Sequence, residues 1–186
     1  SMFRSLHMKL VLIMLLLITS LMTVVGAFMM TSITAFYIDE FYQQMESVFG
    51  DSNPANIPFV ASLRSWAEEE DVPKMQEMIE AKAGDLGLNS ATRTYYILDG
   101  RTGAFLAGSE GQEAFDRMQA TPNLLTARSG IAAGQDRVGD QSDITAGYMD
   151  VAIPITAGES AYIIYIYDNR DTVSALNGQL FLIIVQ

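Results

Sequence analysis

The chain has 186 residues and no cysteine, and its 22 acidic residues against 11 basic ones give a formal charge of −11. The lack of cysteine excludes disulfides, thiolate metal sites and cysteine nucleophiles. All acidic residues lie at or after Asp39, so the sequence beyond the first apolar run holds nine basic and 22 acidic residues, a charge of −13. Such a surface repels phosphate backbones, which disfavours nucleic-acid binding, and attracts cations or basic peptides.

A long apolar run near the start predicts a transmembrane helix over residues 10–31. The run reads LVLIMLLLITSLMTVVGAFMM, and no charged residue occurs between Lys9 and Asp39. At about 1.5 Å per residue it extends roughly 30 Å, the thickness of the hydrocarbon core of a bilayer. A cleaved signal peptide is the alternative, but its apolar core is usually only about 7–15 residues long.

Basic residues predict the orientation of this span. Arg4 and Lys9 precede it, and positive charges beside a span stay on the cytoplasmic side. We therefore expect residues 1–9 to form a cytoplasmic leader and the chain after the span to emerge outside the cell membrane.

A second apolar run, LFLIIV, occupies residues 180–185. It predicts that residues 176–186 open a second membrane span, and that residues 32–175 form an extracytoplasmic domain between the two spans. Two spans that bracket an outside domain are the layout of a receptor.

Helices are predicted for the first half of this domain. Apolar residues at spacings of three and four predict that the first helix continues to about Phe49: Ile33, Tyr37, Phe41, Met45 and Val48. Turn formers predict a loop over residues 50–58, followed by a helix over about 59–69. Asp71 and Pro73 predict the start of another helix, which Gly84 and Gly87 should end.

Strands are predicted from Arg93 onward. TYYIL, DGRTG and AFLAG read as a hairpin with a tight Asp-Gly turn. Short helices are predicted over residues 112–118 and 122–127, then a glycine-rich loop over 130–139. AGYMDVAIPI and SAYIIYIYD predict a second hairpin, in which Pro154 should lie on an edge or at a bulge. The chain from Asn169 is compatible with a helix, and the fold class is therefore α+β with a central antiparallel sheet and flanking helices.

Four segments together resemble the N-terminal regions of Gram-positive sensor histidine kinases, including the cell-wall-sensing type: FRSLHMKLVLIMLLLI, TYYILDGRTG, GYMDVAIPI and YIIYIYDN. The strand segments are similar to PAS-like or single Cache sensor domains. The resemblance implies a homodimer in a two-component system, in which a small-molecule, cation or peptide stimulus shifts the outside domain and the membrane helices. It also implies a cytoplasmic kinase, outside this sequence, that passes the signal to a response regulator.

The sequence itself predicts no catalysis, cofactor or metal site. His7 is the one histidine, it lies in the leader, and no acidic neighbour or glycine-rich ATP-binding motif accompanies it. Pairs such as Ser-His are therefore excluded outside the membrane. The run from Glu68 to Asp71 has the charge to collect divalent cations or a cationic peptide, but a solvated helix end is favoured. Asp99–Gly103 lacks the acidic spacing of a calcium loop, so a hairpin turn is favoured.

Four residues are candidates for binding a ligand. The resemblance to PAS-like domains implies a pocket over the sheet, which points to Arg93, Tyr95, Tyr148 and Asp150. Arginine suits carboxylates, and tyrosine offers packing and one hydrogen bond. The alternative is structural, because tyrosines in strands commonly pack against neighbours and an Asp beside an Arg can simply orient a loop.

Two other functions remain open from the sequence. The same sensor architecture serves chemoreceptors and cyclic-dinucleotide enzymes, which differ in the output domain. A protein-docking scaffold without a small-molecule ligand is the alternative from another class, because the acidic outside domain is suited to binding an envelope protein.

Overall fold

The computed structural model describes residues 2–170, with side chains from residue 4 onward. Residues 38–170 form one compact unit, and residues up to Tyr37 belong to another. The helix predicted from Asn169 and the second span predicted at 176–186 fall essentially outside the described residues, so both stay predictions.

The first helix, α1, comprises Met2–Phe49. Its large apolar side chains are exposed along most of the sequence from Leu6 to Phe36. An 18-residue window within Arg4–Phe49 has a mean hydropathy of 2.6, and the helix is long and apolar enough to cross a membrane. This length and composition agree with the span predicted at residues 10–31.

The last three turns of α1 belong to the compact unit. Ile38, Phe41, Met45 and Val48 are buried in its larger hydrophobic cluster. Their spacing of three and four residues places them on one face of the helix. The prediction that an apolar stripe continues to about Phe49 is confirmed.

Three further helices follow a 3₁₀ turn at Pro54–Asn56: α2 (Ile57–Glu68), α3 (Val72–Ala81) and α4 (Ala83–Leu86). Asp71 caps α3, because its carboxylate accepts a hydrogen bond from the backbone N–H of Lys74 at 3.2 Å. The predicted helix start at Asp71 is therefore confirmed.

The predicted end of that helical region is only half right. Gly84 lies inside α4, where nothing opposes its helical conformation. Gly87 ends α4 with a φ of 69°, a left-handed conformation that glycine adopts without the steric cost of a side chain.

The four strands form one antiparallel sheet in the order β2-β1-β4-β3. They are β1 (Arg93–Asp99), β2 (Phe105–Gly108), β3 (Met149–Ala157) and β4 (Ser160–Asp168). Both predicted hairpins and the α+β class are confirmed. Pro154 lies on the edge strand β3, where its missing N–H leaves no gap in the ladder with β4.

The connection between β1 and β2 is a five-residue loop rather than a tight Asp-Gly turn. The Oδ1 atom of Asp99 accepts hydrogen bonds from the backbone N–H groups of Arg101 (2.8 Å) and Thr102 (3.0 Å). These bonds lower the pKa of Asp99 below its usual value, with the Thr102 bond contributing most. The structural interpretation of Asp99–Gly103 as a turn is consistent with this geometry.

Two helices lie between the hairpins: α5 (Gln112–Asp116) and α6 (Pro122–Ala132). The predicted end of α6 at residue 127 and the predicted loop at 130–139 are both wrong in part. The helix continues through Gly130, and Gly139 forms an isolated antiparallel bridge with Ala152 through two backbone hydrogen bonds of 2.9 Å. Glycine content alone therefore misplaced this boundary.

The sheet buries side chains on both faces. Tyr95 and Ile97 of β1 pack in the larger cluster with α1, α2 and α3, whereas Tyr96 and Leu98 pack in a second cluster with α6. Successive strand residues point to opposite faces, so one strand supplies both clusters. The result is a three-layer arrangement with the sheet in the middle.

The larger cluster provides a test of the fold. Leu63 of α2 is fully buried in it, and Leu63→Ala should lower the free energy of unfolding by about 3 kcal/mol through lost burial and a cavity. Leu125→Ala, at a half-exposed position of α6, should cost less than about 1 kcal/mol. Denaturant unfolding of the chain in detergent micelles, followed by the fluorescence of the single tryptophan, Trp66, measures both. Equal losses in the two variants would contradict this packing.

Candidate functional site

A cavity of about 210 Å³ opens at the edge of the sheet beside the start of β3. It lies where the end of α1, the start of α6 and the loop before β3 meet. The lining includes two carboxylates, two amides and two phenols: Asp143, Asp150, Asn123, Gln141, Tyr42 and Tyr148. Among the described lining residues none is basic, so the cavity is polar and acidic.

Asp150 forms the buried centre of the site, with only 3% of its surface exposed. Its Oδ2 atom accepts hydrogen bonds from the hydroxyls of Thr121 (2.5 Å) and Tyr165 (2.7 Å). Its Oδ1 atom accepts one from the side-chain amide of Asn123 at 2.8 Å. No described residue forms an ion pair with it. Three donors therefore compensate the burial of the carboxylate without neutralising its charge.

Thr121 and Asn123 are positioned by the start of α6. Thr121 is the N-cap residue, and its Oγ1 atom also accepts from the backbone N–H of Leu124 at 3.3 Å. Pro122 occupies the first helical turn, where a missing N–H costs nothing. The Thr-Pro-Asn sequence thus both begins the helix and delivers two side chains to Asp150.

Asn123 also fixes the loop that closes one side of the cavity. Its amide nitrogen donates to the carbonyl of Gln141 at 2.9 Å, and its Oδ1 atom accepts from the backbone N–H of Gln141 at 2.8 Å. Gly139 makes this approach possible, because a Cβ atom there would collide with the carbonyl of Asn123. The glycine-rich segment therefore serves close packing at the site.

Tyr42 brings α1 to the wall of the cavity. Its hydroxyl oxygen lies 2.8 Å from the carbonyl oxygen of Asp150 and 2.9 Å from that of Gln141, so one proton is shared between two acceptors. Burial, followed by the negative charge of Asp150, raises the pKa of Tyr42 to about 12. The phenol is therefore a hydrogen-bond donor throughout the physiological pH range.

Tyr148 and Asp143 complete the open side. The ring of Tyr148 stacks on that of Tyr167, with centroids 5.3 Å apart and an angle of 21° between the planes. Asp143 is exposed and accepts hydrogen bonds from Thr145, from Oγ1 at 2.6 Å and from the backbone N–H at 2.9 Å. The pKa of Asp143 is lowered chiefly by the Thr145 hydroxyl, with a further contribution from Arg170. Asp143 is therefore ionised at neutral pH.

The structure brings two of the four predicted binding residues together. Tyr148 and Asp150 both line the cavity, whereas Arg93 and Tyr95 do not. The assignment of Arg93 and Tyr95 as ligand-binding residues stays a prediction. Hydrogen bonds within the domain already use Nε and Nη1 of Arg93 and the hydroxyl of Tyr95.

Arg93 is held from several sides. Its Nε atom donates to Asp168 Oδ2 at 2.9 Å, and its Nη1 atom lies 2.9 Å from both Gln44 Oε1 and the Leu86 carbonyl. The guanidinium also lies 4.9 Å from the ring centroid of Phe41. These contacts fix α1 and α4 to the sheet.

Tyr95 points into the larger cluster, where 2% of it is exposed, and its hydroxyl donates to Glu80 Oε1 at 2.8 Å. Burial raises the pKa of Tyr95, and the bond to Glu80 raises it further. The side chain therefore links α3 to β1.

Sequence reasoning missed Tyr42, Thr121, Asn123 and Asp143. The signals available at these positions were an apolar helical stripe, a helix cap and a polar loop, and none of them identifies a partner on a distant strand. Among residues 2–170, no three His, Cys, Asp or Glu side chains are grouped as metal ligands.

Comparison of the chain with known protein families, with curated proteins and with solved structures finds no significant match.

The hydrogen bonds of Tyr42 can be tested by Tyr42→Phe. The variant removes one donor from the part-buried carbonyl of Asp150 and the exposed carbonyl of Gln141, so the free energy of unfolding should fall by about 1 kcal/mol. Because the pKa of Tyr42 is higher in the folded protein than the ordinary value of 10.0, its contribution is complete below pH 10 and is lost as pH rises towards 12. Denaturant unfolding between pH 7 and pH 12 should therefore show a shallower alkaline loss of stability in the variant.

Tyr162→Phe is the matched control, since the rings of Tyr162 and Tyr42 both pack in or against the larger cluster, but the Tyr162 hydroxyl forms no hydrogen bond with a described residue. It should be less destabilising at pH 7. Equal losses at neutral pH for the two variants would show that the Tyr42 bonds contribute nothing specific.

Proposed function

We propose that residues 32–175 form the extracytoplasmic, PAS-like or Cache-like sensor domain of a membrane-bound two-component histidine kinase. The proposal depends on one observation, the composition and burial of α1. One helix contains both an exposed apolar run long enough for a membrane and, after Ile38, side chains buried in the core of an α+β domain. A sensor needs such an element, because it must report a change in its outer domain on the other side of the bilayer.

The cavity supplies the second element of the proposal. Tyr42 of α1 donates to backbone carbonyls of β3 and of the loop that lines the cavity. A ligand that binds one arrangement of this loop better than another shifts the population of α1 positions. The size of the response is limited by the difference in affinity between the two arrangements.

The remaining parts of the proposal follow from the resemblance. The receptor acts as a homodimer, residues 1–9 lie in the cytoplasm, and a second span after the sensor domain leads to the kinase. That kinase phosphorylates itself on a cytoplasmic histidine and passes the phosphoryl group to a response regulator. The four-stranded antiparallel sheet with helices on both faces supports the sensor-domain assignment.

The orientation is tested with single-cysteine variants, which are unambiguous because the chain has no cysteine. Ala133→Cys, at an exposed site of the domain, should react with a membrane-impermeant maleimide in intact protoplasts. Ser5→Cys should react only after lysis, because positive charges keep the leader inside. Labelling of Ser5→Cys in intact protoplasts, with protection of Ala133→Cys, would reverse the proposed topology.

The output is tested by the gene that encodes the chain. We expect its reading frame to continue past Gln186 through a complete apolar span to a helix with a His-Glu or His-Asp phosphoacceptor pair and a glycine-rich ATP-binding domain. A methyl-accepting coiled coil or a cyclic-dinucleotide catalytic domain would retain the sensor and replace the kinase. A stop codon directly after Gln186 would remove both outputs and leave the docking scaffold.

A further inference from the structure

We infer that the cavity lined by Asp150, Asp143 and Tyr148 binds a small organic cation through its ammonium group. The inference rests on the proposed sensor function and names the class of stimulus. It depends on three features of the same place: the charge of the lining, the unused acceptor capacity of Asp150, and aromatic walls of suitable size.

The charge balance favours a cation. The compact unit, residues 38–170, holds nine basic and 21 acidic residues, a formal charge of −12. Among the described residues, the cavity lining has two carboxylates and no basic side chain. The field of the unit therefore attracts cations, and the walls of a cleft concentrate that field.

Asp150 provides the specific contact. The carboxylate is 3% exposed, lines the cavity and forms no ion pair with a described residue. A carboxylate accepts about four hydrogen bonds, and Asp150 receives three, two at Oδ2 and one at Oδ1. Oδ1 therefore retains one acceptor site, and an ammonium group would supply both the missing donor and the missing charge.

Asp143 and Tyr148 define the open side. Thr145 holds the Asp143 carboxylate in place through two hydrogen bonds, so a second negative charge lies beside the bound group. Tyr148 presents a ring that Tyr167 supports by stacking, and aromatic faces attract ammonium groups. Arg170 does not line the cavity, and its charge makes the smallest contribution to the pKa of Asp143, so it offsets little of the attraction that the two carboxylates exert.

The volume sets the size of the ligand. A cavity of about 210 Å³ suits an amine of a few carbon atoms and is too small to enclose a folded peptide. Simple amines and α-amino acids both carry the required ammonium group. An amino acid adds a carboxylate, which Arg170 would attract.

The experiment is a titration of the whole chain in detergent micelles at constant ionic strength, with thermal unfolding followed by Trp66 fluorescence. The probes are ethanolamine, 1,4-diaminobutane, alanine and the uncharged 1,4-butanediol. A saturable rise in the unfolding midpoint with at least one ammonium probe, and none with butanediol, is expected, because ligands that bind the folded state stabilise it by mass action. A larger rise with alanine than with ethanolamine would identify an amino acid as the source of the ammonium group.

Three variants locate the binding. Asp150→Asn should abolish the rise, and Asp143→Asn should weaken the affinity about tenfold, which is about 1.4 kcal/mol. Asp51→Asn, which removes an exposed charge from another loop, should leave the affinity unchanged. If Asp150→Asn does not fold, Ser142→Phe replaces it, because Ser142 is exposed and lines the cavity, and a bulky ring there should block binding.

Several results overturn the inference. They are the absence of any saturable rise with the ammonium probes, an equal rise with butanediol, or a rise of unchanged affinity in folded Asp150→Asn or in Ser142→Phe. None of these results affects the cysteine labelling or the reading frame, so the ligand class can fail while the sensor function stands. Reversed topology would instead remove the sensor function and leave the binding result intact.

Discussion

The structure around the cavity depends on the burial of one carboxylate. Asp150 is almost inaccessible, and a buried carboxylate without a cation is costly unless hydrogen bonds replace the lost water. The donors come from three places in the chain: Thr121 before α6, Asn123 within it and Tyr165 on β4. Satisfying this single group therefore fixes how α6 lies on the sheet.

The same network forms the shape of the cavity. Asn123 forms hydrogen bonds with the backbone of Gln141 as well as with Asp150, so it ties the loop before β3 to the start of α6. Gly139 permits the backbones to meet, and its bridge to Ala152 attaches the loop to the edge of β3. One wall of the cavity is thus a loop whose backbone is held by the Asn123 amide, the Tyr42 hydroxyl and the Gly139 bridge.

Local sequence patterns predicted most of the helices and strands, whereas hydrogen bonds between residues far apart in the chain form the candidate site. Alternation and turn residues identified both hairpins, and Asp71 with Pro73 marked the start of α3, because these signals act within a few residues. Tyr148 and Asp150 were proposed from the resemblance to PAS-like domains, whose pocket lies over the sheet, and not from a local pattern. The contact of Tyr42 with Gln141 joins residues 99 positions apart, and no periodicity encodes it.

Arg93 and Tyr95 show why the four predicted binding residues do not all line one cavity. In the register, Arg93 pairs with Asp168 and Asp168 with Met149, so Arg93 lies one row from Asp150. Strand alternation nevertheless directs Tyr95 to the face of the sheet that α1, α2 and α3 cover, while Asp150 lies on the opposite face, towards α6. The end of α1 meets both rows, because Gln44 bonds Arg93 and Tyr42 bonds the carbonyl of Asp150. In the proposed mechanism, a change at the cavity therefore reaches α1, because α1 is bonded both to Asp150 at the cavity and to Arg93 in the neighbouring row.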